Sequence, residues 1–178
     1  MTEEGYTLTR RDAVAALAAA GVAVAGATAL GQEGSDPTIG DHERETLIAV
    51  ARTVYPDAVE GIPAFVETYV EGYTADRPEH AEAVGSAVAS LDDYAMERDE
   101  ARYADLDPER RDELLREIGL DTADPDPDGL APGRLRYYLV NDLLYALYTS
   151  PTGGELVGIE NPQGFPGGTD SYQRGPDA

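Results

Sequence analysis

Apolar side chains recur at intervals of three and four residues in about five separate stretches, and proline opens three of them. That combination restricts the chain to packed helices, because the period belongs to helices and proline is tolerated only in their first turn. The first stretch carries Leu47, Ile48, Val50, Ala51 and Val54 and is stopped by Pro56, with Asp41 as its expected N-cap. Gly61-Ile62-Pro63 restarts the chain, and Phe65, Val66, Tyr69, Val70 and Tyr73 form an aromatic stripe of core type ending around Gly72. From Pro78, a longer amphipathic helix carries Ala81, Val84, Val88, Leu91, Tyr94 and Ala95 and ends before Asp99 and Glu100. Asp107-Pro108-Glu109 supplies an N-cap, a proline at the first helical position and an acid in the first turn; Leu114, Leu115 and Ile118 carry that helix to Gly119. Asp121 to Gly133, rich in Asp and Pro, reads as an acidic surface loop. The last stretch, Leu135 to Tyr148, is the most apolar and holds Tyr137, Tyr138, Tyr145 and Tyr148. The fold class expected is all-α: a small irregular helical bundle of about five helices followed by a long Gly/Pro-rich C-terminal coil.

Ahead of these stretches, Thr9-Arg10-Arg11-Asp12 leads into an uncharged Ala/Val/Gly tract running to Leu30. This reads as a twin-arginine export signal with Arg10 and Arg11 as the recognised pair. As a helix the tract would rise about 27 Å, close to a bilayer core. Its composition argues against an anchor, since Leu appears only at Leu17 and Leu30, and Ala23-Val24-Ala25, Ala25-Gly26-Ala27 and Ala27-Thr28-Ala29 offer small-residue cleavage sites. The expected organisation is a signal peptide over 1–29, a flexible linker over 30–40, a helical domain over 41–150 and an irregular tail over 151–178 that packs on the domain or on a partner. The expected location is extracytoplasmic, reached as folded cargo through the twin-arginine translocase.

Charge and composition narrow the chemistry. The 35 acids against 13 basic residues give a net charge of -22, and every basic residue is Arg. Acids spread along all polar stretches suit a halophilic protein with an acidic surface, because a Debye length of about 3 Å at 1 M salt lets a self-repulsive surface stay compact. Nothing resembles a basic phosphate-binding stripe, so nucleic acid is not an expected partner. The absence of Cys removes disulfides, thiolate metal sites, iron-sulfur ligation, cysteine nucleophiles and a lipid-anchored form. His42 and His80 stand beside carboxylates on helix starts and read as surface residues; a zinc or haem site would need them to meet across the fold.

Asn141 and Asp142 interrupt the most apolar helix. A carboxylate there needs a partner, for which Arg134, Arg136 or an Arg from another helix is the expected answer. Catalytic acid/base use of Asp142 would require a second convergent carboxylate or His. The Gly-rich runs of the tail lack the preceding strand, following helix and Lys of a nucleotide loop, and read as a segment laid on a surface through anchors such as Phe165 and Tyr172.

Several motifs in order resemble the gluconate 2-dehydrogenase subunit 3 family. They are the twin-arginine leader; Leu47-Ile48-Ala49-Val50-Ala51 up to Pro56 with Gly61-Ile62-Pro63 and Phe65; Leu106-Asp107-Pro108-Glu109-Arg110-Arg111; and the aromatic helix passing to Ser150-Pro151, Gly153-Gly154, Asn161 and Gly164-Phe165-Pro166-Gly167. The resemblance implies a small accessory subunit of a membrane-associated, flavin-dependent sugar or polyol dehydrogenase. The FAD would sit in the large subunit and electrons would pass to a cytochrome or other membrane acceptor. It implies no cofactor in this chain, and a leader that also carries a signal-less catalytic subunit outward. The chain departs from the family in its extreme acidity and in the compressed stretch between Gly154 and Asn161, so substrate identity does not transfer. No catalytic, cofactor-binding or metal residue is assigned. The partner-binding candidates are Tyr138, Asp142, Tyr145, Tyr148, Gly153, Gly154, Asn161, Phe165 and Pro166. The competing readings are a free-standing exported helical binding domain and a small carboxylate-dependent hydrolase using Asp142.

Overall fold

The structure, a computed structural model, describes residues 5–22 and 39–158. Its helices are α1 (Arg10–Ala19), α2 (Asp41–Val54), α3 (Ile62–Thr74), α4 (Pro78–Asp99), α5 (Pro108–Ile118), α6 (Ala131–Leu135), α7 (Asp142–Thr149) and α8 (Pro151–Leu156). A π-helical turn over Arg136–Asn141 joins α6 to α7 without a break, and a 3-10 turn over Tyr103–Asp105 precedes α5. Two short strands, β1 (Tyr6–Thr7) and β2 (Val59–Glu60), pair in parallel. Among the described residues the fold is an all-α bundle with this one small ribbon.

The five expected helices are present, and their ends follow the local chemistry. The Asp107 side chain accepts from the Arg110 amide at 2.9 Å at the head of α5, and Gly119 closes it at φ 87°. At α2 the expected N-cap shifts by one: Gly40 holds the cap position and Asp41 is the first helical residue, where its carboxylate meets Arg44 at 2.6 Å. The last long helix starts at Ala131, ahead of the expected Leu135, because Pro132 fits its first turn.

Two stretches depart further from expectation. Pro151–Leu156 is helical, not irregular: the Ser150 hydroxyl accepts from the Gly153 amide at 3.0 Å and Pro151 fills the first position, so the cap outweighs the low helix propensity of Gly153-Gly154. The segment 5–22 is folded onto the bundle, through β1 and through α1 packed on α3 and α7. The helical unit therefore takes in residues well before Asp41. The expected cleavage sites, most of the linker and the tail from residue 159 lie outside the described residues.

The core is formed by one stripe from each long helix: Val50 from α2, Phe65 and Val66 from α3, Leu91 from α4, Leu114 from α5, and Leu139, Leu143 and Leu147 from the π turn and α7, all essentially inaccessible. Two buried tyrosine hydroxyls inside it are paired, whereas the Thr46 hydroxyl on α2 is buried without a partner. Tyr55 donates to the Leu143 carbonyl at 2.7 Å and Tyr103 to Thr53 Oγ1 at 3.1 Å. Burial pushes the Tyr103 hydroxyl up to about 12 and raises that of Tyr55 as well. Both stay protonated donors across the ordinary pH range. His42 is not a free surface residue: its Nε2 lies 2.5 Å from Asp92 Oδ2, while Asp92 Oδ1 accepts from the Tyr103 amide at 3.0 Å. One carboxylate thereby ties α2, α4 and the 3-10 turn together.

Candidate functional site

A row of rings leads from the core to one side of the bundle. Tyr69 stacks on Tyr73 with centroids 5.4 Å apart, Tyr73 meets His80 edge-on at 5.0 Å, His80 meets Tyr138 at 5.4 Å, and Tyr138 meets Tyr137 at 4.9 Å. Such offset and edge-on pairs favour a fixed arrangement. The residues come from three elements that local sequence does not connect: α3, the start of α4 and the π turn. The π turn closes its hydrogen bonds one residue further along the chain than an α-helix does, a rare feature found frequently at functional sites.

At the centre, His80 Nε2 lies 2.7 Å from Asp142 Oδ2, the first residue of α7. The carboxylate therefore has a partner, but it is a histidine on α4 and not Arg134 or Arg136. Arg136 instead donates to the Leu120 carbonyl at 2.8 Å and pins the acidic loop. Asp142 and Tyr73 separate two spaces. Inward is a cavity of about 20 Å³ bounded by Tyr69, His80, Tyr138 and Leu143. Outward is an open pocket of about 560 Å³ walled by Tyr73, Tyr137, Asn141, Asp142, Tyr145 and Tyr148, with Ala20 at its rim.

The outer pocket offers hydroxyls and ring faces in place of reactive groups. Burial raises the Tyr73 hydroxyl, and the Asp142 charge adds to it; burial also raises Tyr138. These phenols are donors, not bases. Asp142 is the one carboxylate on the pocket wall among the described residues, and no second carboxylate there completes an acid/base pair. Among the described residues, no group of three His, Asp or Glu side chains is placed to hold a metal ion. Tyr145 and Tyr148 are 46% and 43% exposed, large apolar surfaces left open on one face of α7.

Three of the partner-binding candidates thus meet on this face, Asp142, Tyr145 and Tyr148, whereas Tyr138 borders the inner cavity behind it. Gly153 and Gly154 do not join them; both are buried in α8, and a Cβ at Gly153 would fall on the Leu147 carbonyl oxygen, so glycine at 153 serves packing. Asn161, Phe165 and Pro166 lie outside the described residues. Arg10 and Arg11 stand exposed in the first turn of α1. Sequence reasoning missed Tyr73, His80, Tyr137 and Asn141 as parts of the site. The one available signal was His80, a lone imidazole one position before the apolar repeat of its helix.

No helix among the described residues is long and apolar enough to cross a membrane. No curated protein and no solved structure is significantly similar to the chain. The family model for gluconate 2-dehydrogenase subunit 3 matches residues 41–167, from the first residue of α2 into the tail. The chain belongs to that family.

Proposed function

From that membership we propose that the chain is an exported, non-catalytic accessory subunit of an FAD-dependent sugar or polyol dehydrogenase, and that it holds the flavin-bearing subunit through the tyrosine face of α7. The observation that carries this reading is the open, tyrosine-walled face in a chain of this family, whose rings and hydroxyl donors suit adhesion. Although Asp142 has His80 as a convergent partner, that imidazole borders the inner cavity and leaves the outer pocket wall, among the described residues, with neither a histidine nor a second carboxylate. Aromatic residues that remain half exposed are the residue type enriched where protein surfaces meet. The exposed arginine pair supports passage through the twin-arginine translocase, with the partner carried along. A cytochrome or other membrane acceptor would complete the electron path outside the cytoplasm.

The test is affinity purification of the tagged full chain at high salt from the source membranes. The expected result is a stoichiometric large subunit with flavin absorbance, and loss of that subunit on Tyr148→Ala with the helical spectrum unchanged. Recovery of the chain alone and monodisperse would refute the reading. Replacement of Arg10 and Arg11 together by Lys is expected to strand both proteins in the cytoplasm; a dehydrogenase that still reaches the outside would remove the shared-export part.

A further inference from the structure

The groove between α3, α7 and α8 is occupied, and its occupant is the N-terminal segment of the same chain. Tyr6 donates to the Ala58 carbonyl and Leu8 to the Glu60 carbonyl, both at 2.9 Å, which sets the register of β1 on β2. Thr9 then caps α1 in a capping box with Asp12, and the helix lies with Ala13, Ala16 and Leu17 no more than 3% exposed and Leu8 at 2%. At its far end Tyr145 donates to the Ala19 carbonyl at 3.3 Å.

The fastening is at Asp12, which is 7% exposed and has no cation partner in the described structure. Its Oδ2 accepts from the Thr9 amide at 2.9 Å and the Thr9 hydroxyl at 2.5 Å. Its Oδ1 accepts from the Thr152 hydroxyl at 2.8 Å and the Thr152 amide at 3.2 Å, across 140 residues of chain. A buried carboxylate is tolerated only where donors satisfy it, and here half of them belong to α8.

The receiving surface is cut to this occupant. Gly61 sits at φ 75°, and a Cβ there would fall on the Leu8 carbonyl oxygen. Gly72 lies inside α3, where glycine costs helix stability, and a Cβ there would meet a Leu17 methyl at 2.5 Å. Both glycines belong to the family-matched region, whereas the segment they accommodate precedes it.

We propose that residues 5–22 are a built-in peptide ligand of this groove, retained when the chain is cut beyond Val22. The arginine pair is then displayed on a folded surface, and a processed chain keeps its N-terminal peptide in place. No partner enters this proposal, although the segment borders the tyrosine face through Ala20 and its contact with Tyr145.

The test uses the full chain with a site-specific protease sequence inserted after Leu30, cut to completion in molar salt and separated by size. The expected result is one copy of the N-terminal peptide co-eluting with each domain. Thr152→Val, which removes one hydroxyl donor to the carboxylate, should release the peptide about tenfold faster. A peptide that separates from a still-helical domain overturns the proposal. A domain that unfolds once cut overturns it as well, and hydrogen exchange on the uncut chain gives an independent check: amides at Ala16 and Leu17 should be as protected as those of α3, and exchange at free-peptide rates overturns the proposal.

Discussion

Gly72 and Leu17 give the sharpest test of how the N-terminal segment sits on the bundle. Alanine at an interior helical position is about 1 kcal/mol better than glycine, so Gly72→Ala in isolation should stabilise α3. In the native packing the new Cβ would meet Leu17 Cδ1 at 2.5 Å and Cδ2 at 3.3 Å, and Leu17 is only 3% exposed. Forcing a methyl into a filled core site costs about 1–3 kcal/mol, which cancels or exceeds the propensity gain. Leu17→Ala alone should cost about 2 kcal/mol, the lower part of the range for a core leucine, because its pocket is bounded on one side by the half-buried α3 surface. In the Leu17→Ala background the obstruction is gone, and Gly72→Ala should turn stabilising by about 1 kcal/mol. The coupling between the two sites is therefore about 1–3 kcal/mol with a change of sign. Urea unfolding followed by far-ultraviolet circular dichroism, in molar potassium chloride, measures all four corners of the cycle. An equal effect of Gly72→Ala in both backgrounds would refute the packing of α1 on α3.

Other outcomes follow from single groups. Burial raises the Asp12 carboxyl, but the hydrogen bonds from Thr9 and Thr152 outweigh it and hold the carboxyl below its ordinary value. With the folded value depressed, its contribution is fully present above the unfolded pKa of about 3.9 and is lost as pH falls through the lower folded value; Asp12→Asn should flatten that part of a stability-versus-pH curve, measured by denaturation between neutral and acid pH. Tyr55→Phe should cost about 1 kcal/mol in the same unfolding assay, since it deletes the hydrogen bond to the Leu143 carbonyl inside the core. Tyr148→Ala should change stability by no more than about 0.5 kcal/mol, because the ring is already 43% exposed, so any loss of partner binding reads as loss of contact.

The bundle was legible wherever apolar period and punctuation agreed. Pro63, Pro78 and Pro108 each fall in the first turn of a helix, and the stripe from Phe65 to Val70 is buried as its spacing predicts. The N-terminal segment was not legible as part of the fold, because the small apolar residues that let α1 lie close to α3 are the same residues that compose an export leader. Its trace lay elsewhere, in a glycine within α3 that helix propensity alone would have replaced. Ser150-Pro151 carried a helix-start signature, yet Gly153-Gly154 masked it, and only the close approach to Leu147 explains why glycine is needed there. Of the site, the tyrosines of α7 could be read from sequence, whereas the pairing of His80 with Asp142 joins residues 62 apart and has no local signal.

The four bonds to Asp12 have a consequence for a chain of such charge. Arg110, which binds Asp99 and Glu117 at the surface, works through ion pairs that salt weakens. Asp12 is enclosed and held by hydroxyls and amides, where counterions cannot compete for it. The N-terminal segment is thus attached by a contact that added salt screens far less than the exposed ion pairs of the same molecule.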